Sequence, residues 1–103
     1  MSIKDFLLEK IELKRDVVEI DGQSLEIREL TGAERTEMLK AGDNPETSES
    51  ICYNAGVVDN AEKMDEHEFA QAFRFNYNHI HRVVIAICEL SGYFDNPEDS
   101  EKN

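Results

Sequence analysis

The sequence predicts an α+β fold that is predominantly helical, with one β-hairpin, at about 17–20 and 25–30, packed against four or five helices. Three observations carry this reading. Apolar residues recur at the three-and-four spacing of a helix face along most of the chain. They alternate with period two only within "VVEIDGQSLEIREL". The two regimes meet at "TGAER", which reads as a helix start. At 103 residues the chain is the size of one domain and can bury a modest core without a metal or disulfide staple. The expected organisation is a domain over 1–93 followed by an acidic, disordered tail over 94–103, since "DNPEDSEKN" holds no core residue.

In chain order, Ser2 is a candidate N-cap for a short amphipathic helix whose face carries Ile3, Phe6, Leu7 and Ile11. In the hairpin, Val18, Ile20, Leu25 and Ile27 fall on one side, with Glu19, Glu26 and Arg28 on the other. Two turns fit. A two-residue Asp21-Gly22 turn pairs Val18 with Leu25, whereas a four-residue loop pairs Ile20 with Leu25 and Val18 with Ile27. The second matches more apolar partners and is preferred, and the dry face survives either choice because both registers share parity. Thr31 and Glu34 have capping-box spacing, which starts a helix that runs through Met38 and Leu39 and stops near Gly42.

A third helix is expected to begin at Thr47 or Ser48 and to bring Ile51 and Ala55 to one face. Asp65 can cap the next. From there Phe69, Phe73, Tyr77, Ile80, Val84 and Ile87 form a single stripe widened by Val83 and Leu90, ending at Gly92. The stripe permits one helix over 65–91, while Asn76 and Asn78, poor helix formers, leave room for a break near 74–78. No acidic residue occurs from Phe69 to Cys88, which marks this segment as the core helix.

The chain has 23 acidic against 11 basic residues, a formal net charge of −12 that repels phosphate backbones and anionic lipid. No nucleic-acid or membrane partner is expected. Nothing reads as a signal peptide or a spanning segment, so the protein is expected to stay in the compartment where it is made. Cys52 and Cys88 read as buried reduced thiols rather than a disulfide. On a helix, the imidazoles of His79 and His81 point roughly 200° apart, which argues against a metal site. The acidic run "DNAEKMDEHE" lacks the glycine of a calcium loop and has Lys63 where an oxygen is needed. Lone glycines form no phosphate cradle, and Ser24, Ser91 and the cysteines lack the local signature of an activated nucleophile. No catalytic, cofactor or metal residue is assigned, and the expectation is a non-enzymatic protein.

The order of a short helix, the "VVEIDGQSLEIREL" hairpin, the "TGAER" helix start and a final apolar helix ending in "ELSG" resembles the tail assembly chaperones of long-tailed bacteriophages and prophages. The resemblance rests on Ile27 through Arg35, with Arg28, Glu29, Leu30, Glu34 and Arg35 matching the family's junction, and on Ile87 through Gly92. It implies a chaperone that coats the long helical tape-measure protein, keeps it from aggregating until tail tube protein polymerises around it, and leaves before the virion is complete. It further implies the host bacterial cytoplasm, weak homo-oligomerisation and a gene that often also yields a longer frameshifted product. Phe6, Leu7, Tyr93 and Phe94 are the candidate partner-binding residues, because the ends of the domain are least constrained by the core. Two other classes compete: an acidic inhibitor or DNA mimic that binds a basic host protein, and a small structural tail or connector protein.

Overall fold

The computed structural model describes residues 2–9 and 12–93. Their order is α1 (Ile3–Leu8), β1 (Arg15–Ile20), β2 (Gln23–Arg28), α2 (Gly32–Lys40), α3 (Pro45–Gly56), a 3-10 turn (Asn60–Glu62), α4 (Glu66–Phe75) and α5 (Tyr77–Leu90). The fold is therefore α+β and predominantly helical, with a single antiparallel hairpin among the described residues. Ile11, Phe94 and the rest of the expected tail lie outside them.

The hairpin corrects the preferred register. Asp21 and Gly22 form a two-residue turn with φ of 50° and 80°, and Val18 pairs with Leu25, Ile20 with Gln23 and Asp16 with Ile27. Positive φ at both central residues gives the turn whose twist matches the strands, and Asp-Gly adopts it at low cost. That local preference outweighs the extra apolar matches of the longer loop. Shared parity keeps Val18, Ile20, Leu25 and Ile27 on the inner face, as expected. Both strands begin two residues earlier than expected, at Arg15 and Gln23; β1 ends at Ile20 as expected, and β2 ends at Arg28 rather than at Leu30.

α2 begins with the complete capping box, Thr31 Oγ1 accepting from Glu34 N–H while the Glu34 carboxylate accepts from Thr31 N–H. α3 starts at Pro45 rather than at Thr47 or Ser48. Asn44 accepts the Thr47 amide, and proline in the first helical turn lacks only an N–H that would have no intrahelical partner. The inward face of α3 is centred on Cys52, Tyr53 and Gly56, with Ile51 and Ala55 half-buried beside it. A β-carbon on Gly56 would lie 2.5–2.7 Å from three side-chain atoms of Ile87, so glycine here lets α3 and α5 approach.

Asp65 caps α4 with a second capping box. The long stripe resolves into two helices that break at Asn76 (φ −135°, ψ 43°), although the stripe runs on across the break. Phe69, Phe73, Tyr77 and His81 follow one another with ring centroids 5.0–6.0 Å apart, Phe73 meeting Tyr77 edge to face and Tyr77 stacking on His81. α5 supplies Ile80, Val83, Val84, Ile87 and Cys88 to the core, which they share with Ile27, Leu30, Cys52, Tyr53, Val57 and Phe69. It ends as expected at Gly92, where Tyr93 N–H bonds Cys88 C=O and Gly92 N–H bonds Glu89 C=O. No described helix is long and apolar enough to cross a membrane.

Candidate functional site

The two motifs that carry the family resemblance meet in space as one joint. Arg28 grips Glu34 with two hydrogen bonds of 3.0 and 2.7 Å and donates a third to Glu29 C=O at 2.8 Å. The hydrogen bonds from Arg28 hold the Glu34 carboxyl below its usual range; burial opposes them and the Thr31 amide adds to them. Arg28 is raised in turn, chiefly by Glu34. Leu30, buried beneath the hairpin, donates its N–H to Ser91 Oγ at 2.9 Å, and Ser91 Oγ donates to Ile87 C=O at 2.7 Å. Arg35 donates to Ser91 C=O and lies 4.6 Å from the ring centre of Tyr93. The joint thus fixes the exit of α2 from the hairpin and ties both to the end of α5.

Of the candidate partner-binding residues, Phe6 and Leu7 lie on α1, a helix with no buried residue. Ile3, Leu7 and Leu8 are each more than 70% exposed and Phe6 about half. The helix is apolar on most sides, and its side chains find no burial in the described fold. Tyr93 lies at the opposite end of the sequence, 40% exposed and held under Arg35, while Phe94 is outside the described residues. Leu39, 80% exposed, borders an apolar recess with Met38 and Tyr93; sequence reasoning placed Leu39 on a helix without marking it as surface.

A cleft of about 500 Å³ opens between β2, the α3 end and α5. Leu25, Tyr53, Ile80 and Val83 provide its apolar lining, and Asp21, Glu26, Asp59 and Glu62 stand around it. Two basic groups stand beside these carboxylates, Arg15, 3.2 Å from Glu26, and His79, 3.3 Å from Asp21. The cleft escaped sequence reasoning because its walls come from four separate segments.

His81 is directed elsewhere, to Glu49 on α3 at 3.4 Å, and His67 is exposed on α4. No group of three or more histidine, cysteine or acidic side chains among the described residues could hold a metal ion. Cys52 and Cys88 are buried free thiols with sulfurs 4.0 Å apart. The Cys88 contact and burial push the Cys52 thiol up, so it stays protonated and is a poor nucleophile. Lys63 donates to the carbonyls of Asn54 and Val57, closing the end of α3, and burial lowers it.

Comparison with protein-family models, with curated proteins and with solved structures gives no match.

Proposed function

We propose that the protein is a non-enzymatic phage tail assembly chaperone that binds the tape-measure protein and keeps it dispersed while the tail tube assembles. The observation that carries this reading is α1, which leaves Ile3, Phe6, Leu7 and Leu8 largely uncovered on a chain of net charge −12. An apolar surface that finds no burial among the described residues is suited to a partner, and surplus negative charge keeps such a carrier from aggregating. The resemblance of Ile27 through Arg35 and of Ile87 through Gly92 supplies the kind of partner. Because those residues form one joint, they constitute a single architectural feature rather than two independent signatures.

A holder of this kind acts by many weak contacts that are released together when tube subunits arrive, so weak self-association along a client is part of the mechanism. Its place is the host cytoplasm during assembly, and it is absent from the finished particle. The test is co-expression with the large helical protein encoded just downstream. The client's dispersed fraction should depend on this chain and the two should co-purify. An unaffected client would defeat the proposal, and recovery of the chain in purified mature particles would favour a structural tail protein instead.

A further inference from the structure

The cleft beside β2 has a property that its lining alone does not convey: one wall is an unfinished sheet edge. Val58 N–H bonds Glu26 C=O at 3.1 Å and Val57 bridges Ile27, so a short stretch of chain already occupies the outer edge of β2. Glu26 therefore points its backbone groups away from β1. Alternation along a strand, in the register that pairs Ile20 with Gln23, turns those of Ser24 the same way. At Asp59 the chain turns off into the 3-10 turn and leaves the edge uncovered. Among the described residues, Ser24 N–H and C=O and Glu26 N–H have no protein partner. These free groups stand beside the apolar lining of Leu25, Ile80 and Val83, and four carboxylates surround the opening: Glu26 is paired with Arg15 and Asp21 with His79, while Asp59 and Glu62 have no ion pair among the described residues.

The geometry points to a strand-addition site: the cleft takes a short extended segment of a protein partner that continues the edge begun by Val57–Val58, with an apolar side chain over Ile80 and Val83 and flanking lysine or arginine toward Asp59 and Glu62. An edge with unmet donors and acceptors supplies affinity for any extended backbone. The carboxylate border selects a basic one. This deepens the chaperone reading and rests on it for the identity of the partner, which would present basic, extended stretches beside its helices.

The probe is the peptide acetyl-KVKVK-amide, titrated into the full-length 15N-labelled protein. Saturable binding is expected, with amide shifts concentrated at Ser24, Leu25, Glu26 and Ile80. The version N-methylated at every residue should not bind, nor should acetyl-EVEVE-amide. Glu62→Lys should weaken the peptide by about fivefold, the scale of one exposed charge contact. Ser24→Pro removes a donor that faces away from β1, so the ladder is retained while binding falls. Glu62→Lys, a side-chain change at an exposed position, gives the same reading should the proline disturb folding. Shifts centred on α1, equal binding of the N-methylated peptide, or indifference to Glu62→Lys would each overturn the site. The titration needs no client. A chain that rescues its client but ignores the peptide defeats the cleft alone, and one that binds the peptide but rescues nothing defeats the chaperone reading alone.

Discussion

Glu34 concentrates three tasks in one carboxylate: it closes the capping box, takes both hydrogen bonds from Arg28, and so fixes the angle between hairpin and α2. Its side chain is only 25% exposed, which spares the pair much of the screening that makes surface ion pairs weak. Because the folded state lowers this carboxyl, the unfolded chain binds more protons as pH falls, and the stabilisation present above the unfolded value is lost as pH drops through the folded one. Unfolding titrations should show stability falling from about pH 4.3 downward, the unperturbed glutamate value. Glu34→Gln, which retains an acceptor for the cap but loses the charge, should cost about 1–2 kcal/mol at neutral pH and flatten that acid limb. An acid limb identical to that of the parent protein would show that Glu34 is not the group responsible. Ser91, by contrast, has a role that no local pattern signals. The sequence presents it as one residue of "ELSG", and nothing local announces that its hydroxyl satisfies the amide of Leu30 across the fold.

At the scale of elements, what could be read in the sequence was whatever is decided locally. The capping box at Thr31, the cap at Asp65 and the glycine end of α5 depend on neighbours within one turn, and all three formed as expected; the reciprocal bond to Glu68 that completes a box at Asp65 is an addition. The hairpin register departs from the one that apolar matching favours because two adjacent positive-φ residues set it before any side chains meet. α3 starts ahead of the expected Thr47 or Ser48 because Asn44-Pro45, a pair of turn formers, is also a cap followed by a first turn. Gly56 was unreadable, since its role exists only when α3 meets α5. Gly56→Ala pits a helix-propensity gain of up to about 1 kcal/mol against overpacking of about 1–3 kcal/mol. Ile87 is fully buried and three of its atoms are affected, so overpacking should win and the thermal midpoint should fall by several degrees. Shortening the opposing side chain in Gly56→Ala with Ile87→Val should recover part of that loss relative to Ile87→Val alone, as measured in a double-mutant cycle. Simple additivity would mean that the helices separate freely and that the contact does not constrain them.

Across the whole molecule, the acid excess and the uncovered α1 act against each other. Apolar surface on Ile3, Leu7 and Leu8 favours association, while a net charge of −12 opposes the approach of a second copy. Salt separates the two contributions, because screening weakens charge repulsion over distances of about 10 Å at 0.1 M without removing the apolar contact. Sedimentation at increasing salt should therefore show self-association strengthening, the reverse of what contacts held by ion pairs would do. Phe6→Glu together with Leu7→Glu should suppress that association at every salt concentration. The thermal midpoint should barely move, since neither residue is buried and exposed substitutions usually change stability by no more than about 0.5 kcal/mol. The same double variant should lose its hold on a co-expressed client if α1 is the carrying surface, yet bind the basic peptide in the β2 cleft as the parent does. A large fall in melting temperature would instead assign α1 to the fold, and the cleft and the recess beside Leu39 would become the surfaces to test next.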